Sequence, residues 1–183
     1  SGSQTIAEHN YVTNFIKGTN KALLKAEIQY GSHGKLKGVI QTFNINNYLA
    51  NGQEFVLNNL LHEMLHAWSG RLAFWNGAKE DVSLLNSDQD HWSTYVNFVS
   101  PLGGYGWRDN SDGTFTRVVS NYNKKLSDLD LYAMGLIPLR AVRELFYLIP
   151  QDELISTTIN ATRVNVDPQD ILKLLGERKC VLE

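Results

Sequence analysis

Among 183 residues there is one cysteine, Cys180. That excludes an internal disulfide framework and any zinc site built from several thiolates. No apolar stretch approaches the ~20 residues that a membrane-spanning helix requires. Neither sign of charge dominates: 17 lysines and arginines face 19 acids, a net charge of −2. With no dense basic run, the balance argues against a nucleic-acid binder and against a polybasic membrane anchor. Internal repeats, low-complexity segments and a recognisable signal peptide are also missing. What remains is ordinary globular composition, 43% hydrophobic and 20% charged, which a disordered chain does not show. At roughly 150 residues per domain the length predicts one domain. Ser1-Gly2-Ser3 and Leu182-Glu183 read as cloning remnants, so the domain is taken as residues 4–181. Five histidines are the only soft metal ligands present in number.

Apolar residues at helical spacing predict one broken or two short helices from Thr5 to about Gln29, interrupted at Gly18. Gly31 to Gly34 reads as a turn and Val39 to Phe43 as a short strand. The clearest helix runs from about Gln53 to Trp68, with Phe55, Leu57, Leu60, Leu61, Met64, Leu65 and Trp68 as its apolar stripe and Gly70 as its stop. Asp112-Gly113 predicts a two-residue hairpin between Tyr105–Trp107 and Phe115–Val119. A helix is expected from Ser127, with Asp130 as capping-box partner, to Gly135. Another is expected from about Arg140 to Tyr147. A last one starts at Asp167-Pro168 and runs through Leu175 to a Gly176 stop. Helices outnumber strands in this reading and no βαβ alternation is evident, so the fold class is α+β.

His62-Glu63-Met64-Leu65-His66 lies within the clearest helix. Residues four apart share a helix face, so the two imidazoles can meet one metal ion. Neutral imidazoles suit zinc. Glu63 stands about 100° around the helix from His62, beside the metal rather than on it. There its carboxylate can take a proton from a water that zinc has made acidic and return it to a leaving amine. A catalytic zinc site needs a third protein ligand. The downstream candidates are His91, Asp88, Asp90, Asp128 and Asp130, and spacing alone does not choose among them. His9, read as helical, and His33, in a turn, are taken as solvent-exposed.

The zinc motif, followed by His91-Trp92-Ser93 and by Ser100-Pro101-Leu102-Gly103-Gly104, resembles the metzincin-type zinc metallopeptidases, and most closely their leishmanolysin-like branch. Trp107 to Phe115, Ser127 to Leu136 and Ile171 to Arg178 are similar to a group of secreted bacterial metalloprotease-like proteins. The resemblance covers about Gly38 to Arg178. It implies a zincin-like domain with a small β-sheet, His62, His66 and His91 as Zn2+ ligands, Glu63 as general base, a protein or peptide substrate, and a secreted, extracellular location. Two positions depart from the family pattern. Ser69 stands where the family has glycine, with Gly70 one residue later, and Leu102 replaces the methionine of the turn beneath the metal. Should Met134 play that methionine's part, Asp130 becomes a stronger candidate for the third ligand, as in zincins that use a carboxylate.

The expected function is therefore metal-assisted peptide-bond hydrolysis. The alternative is a non-catalytic binding or scaffold module that retains a structural or vestigial zinc site. The run Asp109 to Gly113 lacks the alternate-position acids of an EF-hand and reads as a turn rather than a calcium loop. Asp88-Gln89-Asp90 can orient an imidazole from behind, although a solvated turn is the plainer reading. Tyr105 and Tyr132 are candidate oxyanion stabilisers. The aromatic cluster Trp92, Tyr95, Phe98, Tyr105 and Trp107 reads mainly as core.

Overall fold

The computed structural model of the protein describes residues 7–25, 31–33, 35–42, 45–118, 125–151 and 156–180. Its N-terminal part is extended, not helical. The strands are β1 (Ala7–Tyr11), β2 (Thr13–Asn14), β3 (Ile16–Lys17), β4 (Leu24–Lys25) and β5 (Gly38–Thr42). The β1 and β5 strands pair antiparallel with His9 opposite Ile40, and β2 pairs with β4. The expected helix over Thr5–Gln29 fails for local and distant reasons. Asn14 uses its side chain on the backbone, accepting from the Ile16 amide at 3.0 Å and donating to the Ala22 carbonyl at 2.9 Å, which competes with helical bonding. The amides of β1 find a partner strand some thirty residues on, and its burial alternates with period two. Thr5, Ile6, residues 26–29 and Phe43 lie outside the described residues.

The zinc-motif helix, α1 (Ile45–Leu65), is broken at Gly52, whose φ of 83° and ψ of 170° are not helical. Regular helix resumes at Gln53, where the sequence places its start. It stops at Leu65, and the Ala67 and Trp68 amides then bond three residues back, to Met64 and Leu65, at 3.0 Å each, the tightened last turn common at helix ends. The predicted apolar stripe is only partly the buried face. Leu65 is buried, but Leu57 and Met64 are exposed, while Glu63 and His66 are buried. The helix turns its motif inward.

After the helix the chain runs largely without regular structure. It forms a small hairpin of β6 (Phe74–Trp75) and β7 (Glu80–Asp81) before β8 (Trp107–Asp109) and β9 (Thr114–Arg117). Strands β8 and β9 pair as the hairpin signal predicts. The connection is residues 110–113 rather than a two-residue turn, with Ser111 and Gly113 at positive φ.

Helix α2 (Asp128–Met134) carries the full capping box between Ser127 and Asp130 and ends on Gly135 at φ 80°. The helix expected over Arg140–Tyr147 is instead a single 3-10 turn, Leu139–Ala141, followed by strand β10 (Leu145–Pro150). This strand pairs with β11 (Thr158–Val166), completing an antiparallel sheet in the order β10-β11-β9-β8. Its alternate residues serve two cores. Leu145 and Tyr147 pack with Leu65, Trp92, Leu102 and Ile171, whereas Phe146 and Leu148 pack with Trp107, Phe115 and Ile159. A strand covered on both faces, as β10 is over Leu145–Leu148, is apolar there and shows no period-two signal, which is why it reads as helix. Helix α3 (Pro168–Leu175) starts from Asp167 and stops at Gly176 as expected, and β12 (Lys179–Cys180) returns to pair with β3. Strands outnumber helices, twelve to three among the described residues. No helix of the described residues is long and apolar enough to cross a membrane.

Candidate metal centre

Helix α1 brings His62 and His66 onto one face, and the loop after β7 carries His91 to them. These three form a group able to hold a metal ion, the only such group among the described residues. The Nε2 atom of His62 lies 3.3 Å from Nε2 of His66 and 3.1 Å from Nε2 of His91. A zinc ion with nitrogen ligands at ~2.05 Å in tetrahedral geometry separates those nitrogens by about 3.3 Å. The donor set therefore fits zinc.

The opposite ring atoms explain the convergence. His62 Nδ1 donates to the Pro101 carbonyl at 2.8 Å, and His91 Nδ1 lies 2.8 Å from Asp88 Oδ2. Both bonds require the proton on Nδ1, so in the neutral rings Nε2 is the nitrogen whose lone pair can accept or ligate. Two lone pairs facing one another at 3.1 Å repel unless a cation or a shared proton lies between them. His66 Nδ1 faces Asp90 Oδ1 at 3.4 Å. Asp90 is gripped by Arg71, whose Nε and Nη2 reach its two oxygens at 2.6 and 2.5 Å. Burial works against ionisation of Asp90, but His66 and Arg71 outweigh it and hold the carboxyl well below the usual range.

Glu63 is buried next to the cluster. Its carboxylate makes no hydrogen bond or ion pair among the described residues, while its carbonyl accepts from His9 Nδ1 at 2.8 Å. Burial raises the pKa of Glu63 above the ordinary carboxylate value, against the pull of His66 and His91. A carboxylate in that condition is a serviceable proton acceptor.

The turn at Ser100–Gly103 joins two of the histidine-bearing stretches. Ser100 and Gly103 exchange backbone bonds at 2.8 and 3.1 Å, Pro101 holds His62, and the Leu102 carbonyl accepts from the Trp92 amide at 2.9 Å. Leu102 is fully buried in the place where the family resemblance expects methionine, whereas Met134 lies at the end of α2 with its carbonyl accepting from Arg178. Gly70 takes the sharp turn that Ser69 does not: its φ is 84°, and a Cβ there would stand 2.4 Å from the Asp90 carbonyl oxygen.

Asp130 is not at the cluster. It is wholly buried behind it, and its two oxygens are used by neutral donors: Ser69 Oγ at 2.6 Å, Trp92 Nε1 at 3.0 Å, and the Ser127 amide and Oγ at 2.8 and 2.7 Å. It ties the exit of α1, the residue after His91 and the start of α2 to one point. Asp128 is engaged elsewhere, with Arg143. Tyr105 lies beneath the Arg117 guanidinium beside Trp107, and Tyr132 is buried in the core. Neither hydrogen-bonds to the histidines or to Glu63. Asp109 and Asp112 each accept from an amide of their own turn, Ser111 and Thr114, and the second Asp109 oxygen faces Arg163 at 3.5 Å.

Sequence reasoning misses four residues around the site. His9 is a half-buried strand residue bonded to the Glu63 carbonyl, not an exposed helical one. Tyr11 and Lys21 both donate to the His66 carbonyl, and Arg71 holds Asp90. Nothing in their local sequence marks them. His33 is exposed in its turn, as read.

No family model matches this chain, and no curated protein or solved structure matches it either.

Proposed function

We propose that the chain is a zinc-dependent endopeptidase domain of zincin-like type, related to the metzincins and exported to act on protein or peptide substrates. The observation that supports this best is the pairing of three converging Nε2 atoms with a neighbouring buried carboxylate, Glu63, that makes no hydrogen bond or ion pair among the described residues. A purely structural site has no use for that carboxylate and is normally closed by a fourth ligand. His62, His66 and His91 would hold the ion. When bound, zinc in a three-histidine site with an open position supplies Lewis-acid polarisation of a carbonyl and brings the pKa of water it holds towards ~7.

The chain's own residues do the rest. Glu63 accepts the proton of the attacking water and delivers it to the departing amine. Its position one residue after His62 on a rigid helix keeps the carboxylate within reach of both events. Pro101 and Asp88 fix the tautomers of His62 and His91, so that their Nε2 atoms remain available as ligands.

Glu63→Gln separates this reading from a binding module. Zinc content by atomic absorption should stay at one ion per chain. Cleavage of a denatured protein, followed by mass spectrometry of the products, should fall about 100- to 10,000-fold. Undiminished cleavage by that variant would sink the assignment. A native chain that binds zinc and cleaves nothing supports the scaffold reading instead. His62→Ala, His66→Ala and His91→Ala should each lose the metal, and a normal zinc load in His91→Ala would remove it from the ligand set.

A further inference from the structure

Two of the three imidazoles have an acceptor at 2.8 Å behind them. The third, His66, has its Nδ1 buried without a hydrogen bond and directed at Asp90 Oδ1, 3.4 Å away. Asp90 and Asp88 belong to one turn. Between them Gln89 adopts φ 54°, a left-handed conformation that non-glycine residues rarely take. The effect of that conformation is to splay the two carboxylates, Asp88 towards His91 and Asp90 towards His66. Strained backbone beside a constellation of functional groups points to a role for the geometry it enforces.

The remaining contacts agree. An ion pair as exposed as Arg71–Asp90, with side chains 34% and 29% accessible, contributes little to stability. Yet this one is bidentate and is set in place by a specific backbone approach, the contact of Gly70 with the Asp90 carbonyl. On the other side of His66, Tyr11 and Lys21 both reach its carbonyl, which lies just past the end of α1, where carbonyls lack an intrahelical partner. His66 is thus gripped through its backbone by the N-terminal segment and faced at its ring by Asp90.

We propose that the Asp88-Gln89-Asp90 turn is a two-pronged positioning element for the metal centre. Asp88 sets the ring of His91, and Asp90, oriented by Arg71, sets the ring of His66, so that a single turn fixes the angle between the second and third ligands. This rests on the reading of the histidine cluster as a zinc site. Asp88, Asp90 and Arg71 are positioning residues and touch neither metal nor substrate. With an ion held by the three histidines, Asp90 would stand behind the ring of His66 as Asp88 stands behind that of His91, each carboxylate orienting one imidazole.

The test measures zinc dissociation constants of the full chain by competition with a chromophoric chelator, alongside the visible spectrum of the cobalt-substituted protein. Asp88→Asn and Asp90→Asn should each weaken zinc by about 10- to 100-fold and shift the cobalt bands, because the angle at the metal changes. Arg71→Gln should weaken it less, and Arg71→Gln combined with Asp90→Asn should be no weaker than Asp90→Asn alone, the signature of two residues acting through one contact. Asp109→Asn, at the end of β8 where the carboxylate faces Arg163 and the Ser111 amide, should change neither readout. Circular dichroism of the metal-free variants checks the fold, and Asp90→Ser stands in should Asp90→Asn fail to fold. Native affinity and an unchanged cobalt spectrum in both Asp90 variants overturn the proposal. A native chain that takes up no zinc overturns the metal reading beneath it, so the two failures are distinguishable.

Discussion

From Leu65 to Ile171, buried apolar side chains of helix, loop and sheet pack into the larger of two hydrophobic clusters, and the four-stranded sheet closes over the smaller. Residues 7–42 are attached differently. Among its described residues the buried hydrophobics are Ala7 and Val12, neither of which belongs to those clusters; the other buried residues are Thr13, Asn14, Gly18 and Thr19. Apart from the pairing of β3 with β12, this segment is held by polar contacts that converge on the end of α1 and the residues just after it. His9 reaches the Glu63 carbonyl, Tyr11 and Lys21 reach the His66 carbonyl, and Asn20 Nδ2 donates to the Arg71 carbonyl at 3.0 Å. Burial and the neighbouring Arg71 even pull the Lys21 ammonium down to about 7. The body has an apolar reason to exist without the N-terminal segment, whereas the segment has little to bury and a site to support. Regions with few apolar contacts open first.

The comparison can be broken in the body. Leu102→Ala empties a fully buried position and should cost about 2–5 kcal/mol in chemical denaturation. A loss below about 1 kcal/mol would mean that the turn at Ser100–Gly103 is not part of the core. Next comes Asp130→Ala, which strands the hydroxyl of Ser69, the indole N–H of Trp92 and the Ser127 amide. Each donor left buried costs ~1–3 kcal/mol, and zinc affinity should fall with stability because the loop holding His91 loses its anchor. Asp130→Ala with native stability would contradict its role as a buried hub.

In the N-terminal segment, Tyr11→Phe removes the hydroxyl that donates to the His66 carbonyl and accepts from Lys21, and should lower global stability by only ~0.5–1.5 kcal/mol for each of the two bonds. Amide exchange across residues 7–25 should nevertheless quicken well before that of β10 and β11. Exchange equally slow in both regions would erase the distinction drawn between them. The smallest effect is expected at the surface pair of Asp128 and Arg143, where the guanidinium lowers the Asp128 pKa. A depressed carboxylate stabilises above its unfolded value, ~3.9, and that stabilisation is lost as pH falls through the folded value. Asp128→Asn should therefore be slightly less stable than the native chain at pH ~7 and equal to it near pH ~2. An equal difference at both pH values would show that the ion pair is not its source.

The legible parts of the molecule are those whose causes lie within one turn of chain. Ser127 with Asp130, and Asp167 with Pro168, announce helix starts because a cap is satisfied by residues two or three positions away. The segment Thr5–Gln29 misleads because apolar residues at helical spacing say nothing about a strand partner thirty residues on. The stretch Arg140–Tyr147 misleads because β10 is covered on both faces. At the site, Asp130 reads correctly as a cap, but its free oxygen serves Ser69 and Trp92 rather than a metal.

By itself the sequence determined that His62, Glu63 and His66 would stand together, because a helical period of 3.6 residues is a property of the local backbone. The composition likewise left histidine as the only plentiful soft ligand. Only the tertiary structure decided that His91 joins them and Asp130 does not. It also brought Asp90 and Arg71 behind His66, and turned β1 so that His9 and Tyr11 meet the end of the helix. Those arrangements depend on loops whose closure is set by Gly70, by the turn at Pro101 and by packing around Trp92 and Leu102. Such contacts join residues far apart in the chain, and no local period or spacing encodes them.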